Sequence, residues 1–356
     1  MLKNSERRAA EMDHLADPAT QPDWDDLRLF IAAAETGSLR QAADRLKISS
    51  STIVRRIDKL EATLQVRLFD RLPDGVELTP AGAAILSHAK RMEMTSYELL
   101  RAVQSTDTNP SGLVRVSITE GLGTYWLAPR LVELQRTNPK LIIDLQCAME
   151  SADVLRMEAD VAIQFTRPTN PDLKITKLGR LHIYPFASRA YIAAYGMPRS
   201  REDILHHRLV DQSAPQLEDG VAARFLGIDN PEGIVAIRTN ASTAHYHAVE
   251  KGAGIGGLAT YAAALSDDLE PIDVGFHHSV DIWMTYHPDV RSSTRVSIII
   301  EWIKEAFSPA KFPWFRDEFI HPRELRQLNP DGWKINLVQN TPTIFQVNDK
   351  IATETK

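Results

Sequence analysis

Between residues 24 and 79, apolar side chains recur at helical spacing in three short runs, and chemically defined breaks separate them. Leu27, Phe30, Ile31 and Ala34 mark one face of the first run, which Gly37 ends. Ser38 caps a second helix whose inner face carries Leu39, Ala42, Ala43 and Leu46. The alanine pair is a physical constraint, because small side chains let another helix approach closely. Lys47, Ile48 and Ser49 form a short turn, with Ile48 plugging the core. A third helix over Ser50–Leu64 buries Ile53, Ile57, Leu60 and Leu64. Leu68-Phe69-Asp70-Arg71 then leads into Pro73-Asp74-Gly75 and a short strand at 76–78, so a two-stranded wing stands beside the third helix.

The outer side of that helix has its own chemistry. Ser50, Ser51 and Thr52 put small hydroxyls at a helix N-terminus, where free N–H groups help them approach phosphates or base edges. Arg55, Arg56 and Lys59 follow one turn later and can grip phosphates or guanine edges. From residue 38 to 60 the basic side chains are Arg40, Arg45, Lys47, Arg55, Arg56 and Lys59, against Asp44 and Asp58. This is a local positive face on a chain whose formal net charge is −6. Candidate DNA contacts are Arg40, Ser50, Ser51, Thr52, Val54, Arg55, Arg56, Lys59 and Arg71. The bland alternative is a small bundle with a solvated charged face. It must also account for the alanine pair, the short turn, the hydroxyl cluster and the wing, all in order.

The remainder divides by composition and period. Residues 1–22 read as a disordered leader and 23–82 as a winged helix-turn-helix. A long helix at 83–103 has Ile85, Leu86, Ala89, Met92, Leu99 and Val103 on one stripe. That stripe either packs on its own domain or pairs with the same helix of a second chain; its length favours a homodimer. Polar residues 104–111, with Pro110, form a hinge. Strand patterns at 113–119, 141–145 and 161–165 alternate with helical patterns at 125–136 and 154–158, which implies an α/β domain with parallel strands over 112–309. Trp314 and Phe315 lie in a segment, 310–327, that docks its aromatics, and 328–356 reads as a mostly disordered tail.

In open α/β sheets, polar groups at strand C-terminal ends facing helix N-termini build ligand clefts. Thr119 and Glu120 end one such strand, Gln164 and Phe165 another, and Thr243 opens a helix, making these five the candidate effector contacts. For Thr119 and Thr243 the competing reading is plain helix capping, which uses the same chemistry.

Other features exclude function classes. The single cysteine, Cys147, permits no intrachain disulfide and fits a reducing, cytoplasmic setting. No apolar run reaches the ~20 residues of a membrane span, and the polar first residues lack the apolar core of a signal peptide. The glycines of 252–257 follow a helix and precede a strand, the wrong order for a dinucleotide loop. His245 and His247 lie two apart on a helix and cannot share a metal, and no catalytic Ser, His and acid set stands out. Neither enzyme chemistry nor a cofactor is expected.

Together, Glu35-Thr36-Gly37-Ser38-Leu39, Gln41-Ala42-Ala43-Asp44-Arg45-Leu46, Arg55-Arg56-Ile57-Asp58-Lys59-Leu60-Glu61, Leu68-Phe69-Asp70-Arg71 and Leu78-Thr79-Pro80-Ala81-Gly82 resemble the N-terminal domain of LysR-type transcriptional regulators. The layout from 112 to about 307 is similar to that family as well, with looser motifs. The resemblance implies a winged helix-turn-helix, a dimerisation helix, and a two-subdomain effector domain like a periplasmic binding protein. It also implies homodimers often paired into tetramers, double-stranded DNA carrying a dyad operator, and a small-molecule effector. Two departures stand out. Ser50-Ser51 replaces the common Gln-Pro, and Val54 a serine. Val54 either touches a thymine methyl or packs inward.

Overall fold

The computed structural model describes residues 21–105, 110–213, 215–216, 221–229 and 233–328. The expected leader up to residue 20 and the tail beyond Leu328 lie outside these residues. The chain divides into two compact units, Met1–Val103 and Gln104–Lys356.

In the first unit the elements are α1 (Trp24–Thr36), α2 (Leu39–Leu46), α3 (Ser50–Leu64), β1 (Phe69–Leu72), β2 (Gly75–Leu78) and α4 (Pro80–Ser105). The local chemistry explains the boundaries. Asp23 caps α1, its carboxylate accepting from Asp25 N at 2.8 Å, and Gly37 leaves the helix at φ 62°, a conformation that favours glycine. Ser38 Oγ accepts from Gln41 N at 3.4 Å to start α2. Ala42 and Ala43 are fully buried, and Ile53, Ile57 and Leu60 of α3 complete the core with Phe30 and Phe69, whose rings lie 5.3 Å apart. The wing is antiparallel, with Phe69 opposite Leu78 and Leu72 opposite Gly75. A Cβ on Gly75 would collide with the Gly37 carbonyl, which accepts from Val76 N at 2.9 Å. Only glycine lets the wing tip sit on the end of α1. Helix α4 changes character along its length. Ile85, Leu86 and Ala89 pack into this core, whereas Met92, Leu99, Leu100 and Val103 are exposed.

The second unit is built on a seven-stranded mixed sheet. Its strands are β3 (Gly112–Thr119), β4 (Leu141–Ala148), β5 (Val161–Gln164), β6 (Lys174–Ser188), β9 (Gly256–Ala259), β10 (Leu269–Pro271) and β11 (His278–Tyr286). β3 runs parallel to both β4 and β5, while β11 is antiparallel to β5 and β6. The long β6 continues past β11 to pair with β9 and β10, so one strand serves both halves of the unit. Helix α5 (Ala128–Thr137) follows a π-turn at Gly123–Leu127. α6 (Arg189–Tyr195) follows β6. A separate parallel pair, β7 (Leu209–Gln212) and β8 (Val235–Thr239), flanks α7 (Val221–Leu226), and α8 (Ser242–Glu250) follows it. α9 (Thr294–Ala306) covers β3 with Val296, Ile299, Ile300 and Ile303. Trp314 and Phe315 are buried against Trp126 at ring distances of 5.2 and 4.9 Å.

The helix expected at 154–158 is a turn instead. Asp153 Oδ1 accepts from Leu155 N, but Met157 takes φ 57°, which ends a right-handed path after one turn.

Candidate DNA-reading surface and ligand cleft

Ser49, not singled out from the sequence, organises the start of α3. Its Oγ accepts from Thr52 N at 3.1 Å and lies 2.9 Å from Ser51 Oγ and 2.7 Å from Thr52 Oγ1. The Ser51 and Thr52 hydroxyls are thus pre-positioned by the cap, with Ser50 exposed beside them. Val54 is half-buried.

The basic side chains separate into two kinds. Arg40 and Arg55 are exposed and have no ion-pair or hydrogen-bond partner among the described residues. Arg56 is held: its Nε donates to Asp26 Oδ1, and Asp26 is only 2% exposed. Lys59 Nζ approaches the other Asp26 oxygen at 3.5 Å while staying exposed itself. The first turn of α1 also favours a carboxylate at Asp26, through its free N–H groups. Arg71 donates to Asp58, joining the wing to α3 in a half-exposed pair. A buried acid thirty residues upstream is not visible in local spacing. Local spacing alone therefore groups Arg56 with Arg55.

In the second unit, β3, the β5 end and α8 converge on a cleft of about 80 Å³ lined by Thr119, Phe165, Tyr125, Gln212, Tyr246 and Tyr261 among others. Thr119 is 2% exposed and makes no side-chain cap. Its Oγ1 donates instead to Gln216 Oε1 at 3.2 Å. The Phe165 main-chain N–H donates to the same oxygen at 3.0 Å, and Gln216 Nε2 donates to the Met149 carbonyl at 3.0 Å. One carboxamide of this chain satisfies two donors and one acceptor. Sequence spacing does not point to Gln216, which lies 97 residues from Thr119.

The other expected contacts are used differently. Glu120 Oε2 accepts from Thr243 N at 3.1 Å, so this acid caps the N-terminus of α8 and draws the two elements together. Gln164 Nε2 donates to the Thr166 carbonyl at 2.6 Å. Thr119 and Phe165 face the cleft, while Glu120, Gln164 and Thr243 support it from outside its lining. Tyr125 contributes a buried hydroxyl that has no hydrogen-bond partner among the described residues. Burial, then Glu120 and Glu250, push this phenol up to about 12, so it stays protonated and is available as a donor. Its ring lies 4.7 Å from that of Tyr246.

Three features remain from the sequence. Cys147 is an exposed residue whose Sγ packs against Gly123, where a Cβ would collide with it. Burial accordingly pushes it up, away from the reactive thiolate. Gly252 takes φ 88° just beyond α8, and Gly256 and Gly257 belong to β9, so the glycine run is a helix exit and a strand. Among the described residues, no three His, Cys, Asp or Glu side chains are placed to hold a metal, and no helix is long and apolar enough to cross a membrane.

The chain thus carries a winged helix-turn-helix and a cleft-bearing α/β unit, and comparison with known proteins places both. The profile of the LysR substrate binding domain matches residues 107–308, and that of bacterial regulatory helix-turn-helix proteins of the lysR family matches 24–83. The chain belongs to the LysR family. It is 32% identical over 186 residues to an HTH-type transcriptional regulator of Xanthomonas campestris, covering 52% of this chain and 54% of that one. It is 28% identical to the Mau operon transcriptional activator of Paracoccus denitrificans over 44% of this chain and 56% of that one. The alignments span roughly half to two thirds of such relatives. The full-length structure of AphB, a Vibrio cholerae virulence activator, shares the fold with a TM-score of 0.51 at 20% identity, covering 79% of this chain and 98% of that one.

Proposed function

We propose that this chain is a transcription regulator that binds a dyad DNA site through α3 and changes that binding when a small molecule enters the Thr119 cleft. The observation that carries the first part is the pre-ordered, exposed start of α3: hydroxyls fixed by Ser49, with the unpartnered guanidinium of Arg55 one turn on. Such a helix offers hydroxyls and N–H groups to phosphates and an arginine fork to a guanine edge. Arg55 is the base-reading residue, Arg40 a phosphate contact, and Ser50, Ser51, Thr52 and Lys59 line the same face. Arg56 positions α3 through Asp26, and Arg71 positions the wing through Asp58.

The exposed half of α4 supports a homodimer. Met92, Leu99, Leu100 and Val103 recur along one side of the helix and leave about half or more of each residue exposed. Pairing them would set two copies of α3 about 34–36 Å apart, in successive major grooves. The same reading extends to dimers of dimers acting in the cytoplasm, which membership of the LysR family supports.

Gln216 defines what the cleft accepts. Thr119 Oγ1 and Phe165 N want an acceptor oxygen, and the Met149 carbonyl wants a donor. An effector with a carboxamide or protonated carboxyl end, which both accepts and donates, takes the place of the Gln216 side chain, and the Tyr125 hydroxyl supplies one further donor. The test is selection of duplexes from a random library by the purified full chain at moderate salt. Enrichment of an inverted repeat supports the reading. Recovery of unbiased sequence would remove it.

A further inference from the structure

A second, larger cavity lies within the same unit, behind the cleft, and neither the DNA-reading surface nor the Thr119 site uses it. It holds about 150 Å³ between α7 on one side and β7, β9 and the end of β6 on the other. Its walls are mostly apolar: Leu209, Leu226 and Ile255, with Phe225 and Phe276, whose rings meet at 4.7 Å and 61°. Asp211, Gln212, His245 and His278 are its polar lining, and Gln212 and His245 also line the Thr119 cleft, so the two cavities back onto each other.

An apolar cavity of ~150 Å³ is the size that admits a benzene ring. The floor is stiff rather than collapsible. A Cβ on Gly256 would collide with Val249 and the His245 ring, and His245 is pinned by Nε2 on the Val210 carbonyl at 3.1 Å. The carbonyl fixes the hydrogen on Nε2, which leaves Nδ1 as an acceptor. The Gln212 amide is anchored on Ser242 Oγ at 2.9 Å, keeping its carbonyl oxygen as a second acceptor. Size, lining and polar edge agree on one ligand chemistry.

We propose that this cavity is a second ligand site, for a single six-membered ring bearing one hydrogen-bond-donating substituent, such as a phenol. It stands independently of the assignment of the Thr119 cleft. Because Gln212 and His245 are shared, a ring bound here stiffens the wall of the cleft beside it.

The test uses 4-fluorophenol and the full chain, with binding read from the fluorine NMR linewidth. Ala222 of α7 lines the cavity, and Ala222→Leu fills part of it. The wild-type chain should bind the probe, Ala222→Leu should bind at least tenfold more weakly with its thermal midpoint unchanged or raised, and Thr119→Val should bind as the wild type does. Absence of binding up to the probe's solubility would overturn the proposal. So would wild-type affinity in Ala222→Leu, or loss of binding in Thr119→Val alone, which would put the ring in the cleft. Should Ala222→Leu not fold, anomalous scattering from 4-bromophenol in crystals of the wild-type chain decides: bromine beside Phe225 and Phe276 supports the site, and bromine elsewhere or nowhere refutes it.

Discussion

Arg55 and Arg56 are neighbours in sequence and should behave as different kinds of residue when removed. Arg56→Ala strips a buried carboxylate of its main partner. Breaking a buried pair from one side costs ~3–5 kcal/mol when nothing compensates. Here Lys59 remains 3.5 Å from Asp26, and Arg56 is itself 29% exposed, so water screens part of the loss. About 2 kcal/mol remains, which corresponds to roughly 30-fold faster amide exchange through opening of the α1–α3 core. Exchange at Ile57 and Leu60 in the full chain, followed by mass spectrometry, reads this directly. Replacing both ends with apolar side chains, Asp26→Leu with Arg56→Met, should lose less than Arg56→Ala alone, since no charge is then stranded. Arg55→Ala should leave exchange untouched and weaken binding to the selected duplex by ~1–3 kcal/mol. Unchanged exchange in Arg56→Ala, with DNA loss equal to that of Arg55→Ala, would refute the division.

Other outcomes follow from the same contacts. Thr119→Val should keep DNA binding yet abolish its response to effector, whereas Gln216→Ala should tighten effector binding by removing the side chain that competes for Phe165 N, both read by fluorescence anisotropy with labelled duplex. Leu99→Asp in the exposed half of α4 should shift the chain from dimer towards monomer in sedimentation, through a charge placed in an apolar seam. Burial pushes the phenols of Tyr125 and Tyr184 up to about 12, against an ordinary value of ~10. A raised folded value means their contribution to stability is whole below pH ~10 and is lost as pH climbs towards 12. The share of phenolate absorbance contributed by Tyr125 and Tyr184 should therefore rise only with alkaline unfolding, and Tyr125→Phe should remove part of that late rise.

The helical unit was legible because its information is local. Period, the Gly37 exit, the Ser38 cap and the buried alanine pair each act within a few residues, and they agree. The strand ends that carry Thr119 and Phe165 were legible for the same reason, being positions where a strand pattern stops. What could not be read were partners brought together by the fold. Asp26 claims Arg56 from thirty positions away, Gln216 reaches Thr119 across 97, and Tyr125 becomes an orphaned donor only once β3, β6 and α8 close around it. The long stripe of α4 allows self-packing or pairing between chains, and it divides: Ala89 is buried in its own unit while Val103 is largely exposed. The turn at 154–158 failed as a helix because one residue, Met157, takes a left-handed conformation that no periodicity announces.

The central claim is specific DNA binding by α3 under control of the cleft. DNase footprinting of the full chain on its selected duplex, repeated over a range of salt and with Arg55→Ala, tests it most directly. The account predicts a protected inverted repeat with half-sites one or more helical turns apart, protection that weakens as salt rises, and a gap in protection where Arg55 is removed. Protection without symmetry, or a footprint that Arg55→Ala leaves intact, would contradict it.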